Sequence, residues 1–222
     1  MQSRRDFLKL ALAGGAALAL PRPAPALADA LRQPEPFQVP LRIPRVLKPV
    51  RSTGDRDYFV TTMRPARRRI LPGKRTPVWS FDGAFPGPTI KVTRGREAVV
   101  RRVNNLDVPV TIHLHGGRVP ASSDGHPLDL IPPGRHKDYV YPNDQEAATL
   151  WYHDHTHHNS SRNVHRGLAG LYVIEDPAEE EYGLPSGKYD VPLVLQDRSF
   201  RRDGSFRFRD SHDDVFGRVF LV

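Results

Sequence analysis

An all-β sandwich is the fold that the 222-residue sequence predicts, and three observations predict it. Short runs rich in β-branched and aromatic residues alternate with turn residues along most of the chain. No segment beyond the first 28 residues shows a helical apolar period strong enough to compete. Cysteine is absent, so no disulfide framework can substitute for an apolar core, and no thiolate is available for a zinc finger or a blue copper centre.

The chain opens with Ser3-Arg4-Arg5-Asp6-Phe7-Leu8-Lys9, continues as a run of mostly Leu, Ala and Gly from Leu10 to Leu20, and reaches Ala26-Leu27-Ala28. A twin-arginine pair, a short apolar run and a small-residue cleavage site together read as a twin-arginine export signal over residues 1–28. The apolar run falls well short of the roughly 20 residues that a spanning helix needs. Cleavage after Ala28, delivery by the twin-arginine export machinery to the periplasm or the exterior, and no stable membrane anchor are therefore expected. Losing Arg4, Arg5, Lys9 and Arg22 against Asp6 lowers the net charge of +8 by three, to +5, so much of the positive charge belongs to the mature surface.

Residues 29–57 hold Pro34, Pro36, Pro40, Pro44 and Pro49, which excludes regular helix and predicts an extended arm. From 58 to 177, β-like runs follow at Tyr58–Met63, Thr76–Phe81, Thr89–Thr93, Glu97–Val103, Val108–Leu114, His136–Tyr141, Thr149–His153 and Leu168–Glu175. Pro72-Gly73, Asp82-Gly83, Pro86-Gly87-Pro88, Gly95, Asn104-Asn105 and Pro132-Pro133-Gly134 punctuate them at the spacing of an antiparallel sandwich. The densest basic stretch, Arg64 to Arg69, has neither an aromatic ladder nor a nucleic-acid motif, so it is read as a solvated loop and no nucleic acid is expected as a partner. After Asp176-Pro177 the composition shifts: residues 178–222 predict an exposed turn at Ala178–Tyr182, a linker, a β-like run at Asp190–Gln196, and an apolar end at Val219–Val222. This reads as the start of a second, incomplete sandwich.

Chemistry is concentrated in two phrases, Thr111-Ile112-His113-Leu114-His115-Gly116-Gly117 and Leu150-Trp151-Tyr152-His153-Asp154-His155-Thr156-His157-His158. On a strand, side chains alternate with period two, so His113 and His115 share one face, as do His153 and His155. Two such strands side by side offer four imidazoles to one small volume. Imidazole suits copper, zinc, iron and nickel, and geometry rather than affinity selects among them. A zinc hydrolase would require a carboxylate among the histidines. Asp154, lying between two same-face histidines, should point away from them. His126, His136, His165 and His212 belong to no such phrase, and His157 and His158 are expected to be solvated or hydrogen-bonded.

His113-Leu114-His115-Gly116 and Trp151-Tyr152-His153-Asp154-His155 resemble the first two copper-binding motifs of multicopper oxidases. Phe85-Pro86-Gly87-Pro88-Thr89-Ile90, Asn104-Asn105, Ser123-Asp124-Gly125-His126-Pro127 and Gly167-Leu168-Ala169-Gly170-Leu171-Tyr172 resemble the spore-coat laccase and bilirubin oxidase branch. That resemblance implies cupredoxin-like (plastocyanin-like) Greek-key sandwiches, three in the whole protein, with a trinuclear copper cluster between the first and third. The implied reaction couples one-electron oxidation of a small reducing substrate to reduction of dioxygen to water. By the same resemblance His113 is a ligand of the type 2 copper, His115, His153 and His155 are ligands of the type 3 pair, and Asp124 is the acidic residue that assists proton delivery.

Members of the family supply eight histidines from four His-x-His phrases, and a cysteine flanked by histidines joins the type 1 copper to the cluster. Two phrases and no cysteine occur here. The expectation is therefore an N-terminal portion with half the ligands of the cluster and no type 1 site, inactive by itself; a truncated gene, a frameshift or a fragment would each account for it. Methionine is limited to Met1 and Met63, so nothing suggests a methionine-rich copper-oxidising variant. A non-enzymatic periplasmic copper-binding protein is the alternative. Retention of the four histidines argues against a third possibility, a ligand-free periplasmic scaffold.

Overall fold

The structure, a computed structural model, describes residues 35–208 and 217–222. The export signal, its cleavage site and His212 lie outside the described residues.

Among the described residues the strands and the α-helix are β1 (Arg51–Ser52), β2 (Arg56–Arg68), β3 (Thr76–Phe81), β4 (Ile90–Thr93), β5 (Glu97–Asn104), β6 (Ile112–His115), β7 (His136–Tyr141), β8 (Ala148–Asp154), α1 (Ser160–Arg166), β9 (Ala169–Glu175), β10 (Gln196–Arg198) and β11 (Val219–Leu221). One sheet runs β1-β2-β5-β7, with β3 on the free part of β2, and a second runs β4-β9-β8-β6. Period-two alternation decides which side chains fill the space between them. Phe59 and Met63 of β2, Ala98 and Val100 of β5, and Tyr139 and Tyr141 of β7 point inward from the first sheet. Ile90 and Val92, Ile112 and Leu114, Tyr152, and Tyr172 and Ile174 answer from the second. The result is the two-sheet sandwich expected from the sequence.

Four expectations are corrected. The sandwich is not wholly antiparallel: β2 pairs parallel with β5, Arg56 opposite Glu97, and β4 pairs parallel with β9, Ile90 opposite Tyr172. The chain can make these pairs because it leaves one sheet and returns after building strands elsewhere. The basic stretch is not a loop, since Arg64 to Arg68 continue β2 in register with β3, from Arg64 opposite Ser80 to Arg68 opposite Thr76. Beyond Met63, β2 no longer pairs with β5, so this two-stranded ribbon keeps its arginines near solvent without leaving the strand. Helix α1 was not foreseen; its seven residues are too few to show a period, although the basic residue types His165 and Arg166 in its last turn and Gly167 at its end are stop signals in the sequence. Finally, Asp190–Gln196 is strand only from Gln196, and β11 pairs with that β10, Gln196 opposite Leu221. Ala178–Tyr182 is exposed as expected, and forms part of a 3-10 helix, Pro177–Tyr182, with a capping box between Asp176 and Glu179.

Two connections fix the approach to β6. The Asn104 side chain, fully buried, donates to the carbonyls of Val108 and Ile131 (both 2.8 Å) and accepts from the Leu106 amide (3.0 Å). Tyr139 of β7 places its hydroxyl 3.1 Å from the Ile112 amide and 3.2 Å from the Thr111 hydroxyl. Buried polar groups are thereby paired, and β6 is set at a fixed height against the core.

Candidate metal centre

β6 and β8 pair antiparallel with His113 opposite His153 and His115 opposite Trp151. Past the end of β8, the His155 amide donates to the Thr111 carbonyl (3.0 Å), which extends the same alignment by one step. Ile112, Leu114 and Tyr152 are committed to the core, so the pleat sends His113, His115, Trp151, His153 and His155 to the opposite face. Their rings cluster there: His113 lies 5.6, 5.4 and 5.0 Å from His115, His153 and His155 between ring centroids. Nitrogen atoms of His113, His115 and His153 all lie within 4.8 Å of one another. His155 stands at the margin of this triad, 5.8 Å from His153 between centroids.

Backbone carbonyls fix the imidazoles. His113 Nδ1 is 2.6 Å from the Asp124 carbonyl oxygen, and His153 Nδ1 is 2.8 Å from that of Asp154. A carbonyl accepts only, so each Nδ1 carries the proton and each Nε2 keeps its lone pair for a metal. His115 turns the other way, its Nδ1 3.2 Å from His153 Nε2. Burial drives the His153 imidazole down to about 4, opposed by its bond to the Asp154 backbone, and burial likewise lowers His155. At neutral pH these two rings are neutral, the form that ligates.

Asp154 does point away from the histidines. Its buried carboxylate accepts from the Thr156 amide (3.0 Å), the Thr156 hydroxyl (2.9 Å) and the Asn163 amide group (3.1 Å). Burial raises its carboxyl to about 6 against these bonds. Its own carbonyl, holding His153, also accepts from the Ser160 hydroxyl (2.7 Å) at the start of α1. Asp124 sits beside His113, with Oδ1 3.2 Å from Nδ1 and the carboxylate half exposed.

Two contributors escaped the sequence reading. Trp151 stacks on His153 (4.0 Å, 26°) and on His115 (5.1 Å, 28°); its place two residues before His153 was the available signal. Gly125, at φ +77°, passes so close to β6 that a Cβ would lie 2.2 Å from the Ile112 carbonyl oxygen, and this approach is what brings the Asp124 carbonyl under His113. The remaining described histidines stay apart. His157 and His158 are exposed, with their rings in tilted contact (3.8 Å, 50°), His126 accepts from the Leu128 amide, His136 is exposed on β7, and His165 lies against Phe206 and Phe208.

A face of four imidazoles, two of them braced by carbonyls through Nδ1, and with no thiolate, fits copper in a nitrogen-ligand site. The fold and this site together define a class. Residues 62–179 match the multicopper oxidase family, and the chain belongs to it, with the cupredoxin-like sandwich of that family. It is 40% identical over 178 residues to a bilirubin oxidase of Albifimbria verrucaria, covering 76% of this chain and 31% of the relative. Identity to a laccase of Bacillus subtilis (strain 168) is 38% over 204 residues, covering 77% and 39%. The crystal structure of a laccase from Pediococcus acidilactici Pa5930 superposes with a TM-score of 0.79 at 32% identity, covering 86% of this chain and 42% of that one. The chain thus spans about a third to two fifths of the length of the curated relatives it matches. Residues 1–21 match the twin-arginine signal, so the protein is exported by that pathway to the periplasm or beyond. Among the described residues no helix is long and apolar enough to cross a membrane.

Proposed function

We propose that this chain forms the copper-binding N-terminal portion of a laccase-like oxidase that passes electrons from a small reducing substrate to dioxygen. In this reading residues 1–28 are the signal, 29–57 the arm, 58–177 the first sandwich, and 178–222 the linker and start of a second. His113 would bind the type 2 copper, and His115, His153 and His155 the type 3 pair. Copper held there would supply one-electron centres for reduction of dioxygen to water. The observation that carries the reading is the set of four imidazoles on one sheet face, three of them with nitrogens within 4.8 Å.

The chain's own residues divide the remaining work. Carbonyls of Asp124 and Asp154 hold two imidazoles in the tautomer that presents Nε2. Trp151 covers one flank and limits the swing of His115 and His153. The Asp124 carboxylate, half exposed and 3.2 Å from His113, would collect protons from solvent and deliver them at the edge of the site. Four further histidine ligands and a type 1 site would have to come from elsewhere in a longer protein.

Copper titration followed by electron paramagnetic resonance tests the assignment. The 222-residue chain should take up copper with nitrogen hyperfine structure, and His113→Ala with His153→Ala should weaken uptake at least about tenfold, as loss of direct ligands demands. Equal uptake after all four histidines are replaced would refute it. Oxygen consumption with a phenolic substrate should be absent for the chain alone; a copper-buffering protein gives the same uptake but no turnover even in its longest natural form.

A further inference from the structure

Outside the histidine face, the most unusual grouping is of arginines. The arm bridges to the start of β4, with the Leu47 amide donating to the Thr89 carbonyl (2.8 Å) and the Thr89 amide to the Arg45 carbonyl (2.9 Å). That anchoring lays Arg42 and Arg45 over the corner at Ala84–Pro86, where Arg68 arrives from β2. The three guanidinium-bearing residues, with Ala84, Phe85 and Pro86, line a cavity of about 160 Å³. Arg64, on the same face of β2 as Arg68, reaches the same corner: a Cβ on Gly83 would lie 2.7 Å from Arg64 Nη2 and 3.5 Å from Arg68 Nη2.

The guanidinium groups of Arg64 and Arg68 meet beside Gly83, that of Arg45 lies at the neighbouring Asp82, and Arg42 lines the same hollow. One carboxylate answers them: Asp82 Oδ2 lies 3.3 Å from Arg45 Nη2, and its other oxygen accepts from the Thr62 amide (2.8 Å). Among the described residues Arg42, Arg64 and Arg68 have no acidic partner. Like charges gathered without counter-charge repel, and arginine cannot relieve this by losing a proton. A bound anion would relieve it, and the fork of N–H donors matches the oxygens of phosphate or sulfate.

We infer that this corner is a binding site for a small, multiply charged oxyanion of the phosphate or sulfate class. The hollow, about 160 Å³ and open to solvent, has room for such an ion between the arm and β2. Anchoring by the arm means that the ion would also tie residues 42–45 to β2, so its binding should protect the arm. This site is independent of the copper reading and stands or falls without it.

Isothermal titration of the 222-residue chain with inorganic phosphate, at constant ionic strength set by chloride, is the test. Saturable one-to-one binding is expected. The double variant Arg42→Gln with Arg68→Gln should weaken it at least about tenfold, while Arg101→Gln, which breaks a surface pair with Asp138 elsewhere, should leave it unchanged. Circular dichroism of each variant confirms folding. Limited proteolysis should show slower cleavage within residues 35–50 when phosphate is present, an effect lost in the double variant. Heat that never saturates, equal affinity in the double variant, or binding to phosphatidylglycerol vesicles without binding to inorganic phosphate would overturn the inference.

Discussion

At Gly125 a single methyl group decides whether the site is held. Its Cβ would fall 2.2 Å from the Ile112 oxygen and 2.8 Å from the His113 Cα, on a backbone with positive φ. Gly125→Ala should therefore cost about 1–3 kcal/mol from strain, read by urea unfolding, and should weaken copper uptake because Asp124 can no longer meet His113. Asp154 illustrates the complementary case of a polar residue needed for its bonds. Thr156→Val removes the hydroxyl that donates to Asp154 and accepts from the Thr111 amide (3.2 Å), leaving buried groups unpaired. A loss of about 1–3 kcal/mol is expected, measured the same way.

Elements hold one another through a few side chains that cross between them. The Tyr152 ring from β8 packs edge-on to Phe81 of β3 (5.0 Å), lies under the Arg102 guanidinium of β5 (4.1 Å), and donates its hydroxyl to the Pro88 carbonyl (2.7 Å). One residue on, His153 faces the opposite way, so Tyr152 sets the height of the histidine face from below. At the far end of the sandwich, Arg96 donates to both carboxylate oxygens of Asp57, through Nε (2.7 Å) and Nη2 (2.8 Å), closing the start of β2 against β5. This hydrogen bonding from Arg96, with Ser52 assisting, pulls Asp57 below its usual value of 3.8 against its desolvation. A depressed carboxyl contributes stability that is present above the unfolded value and lost as pH falls through the folded one. Thermal melts should therefore show the wild-type chain losing more stability below pH 4 than Asp57→Asn; parallel curves would remove Asp57 from the account.

For the whole molecule, metal binding and folding are linked. If copper binds only the folded chain, ligand at a hundred times its dissociation constant stabilises by about 2.7 kcal/mol, so the melting temperature should rise with copper and fall back with a chelator. That rise should vanish when His113, His115, His153 and His155 are all alanine. Export is separable from this: Arg4→Lys with Arg5→Lys should retain the protein in the cytoplasm, detected by cell fractionation, without altering the melt of the purified mature form.

Alternation, turn residues and the two His-x-His phrases are local properties, and from them the sandwich, most strand positions and the four shared-face histidines could be read directly. Period two made the face of each histidine legible, because burying Ile112, Leu114 and Tyr152 leaves His113, His115 and His153 no other side. Tertiary structure decided what local pattern could not carry. Parallel pairing of β2 with β5 depends on chain crossing, and Arg64–Arg68 stayed in strand because β3 supplied a ladder that charge alone did not reveal. The seven-residue α1 needed Asp154 and Asn163 in contact before its purpose was visible. The close approach of Gly125 to β6, and the meeting of arm and β2 arginines at one corner, arise from packing of segments far apart in sequence, where no periodicity records them.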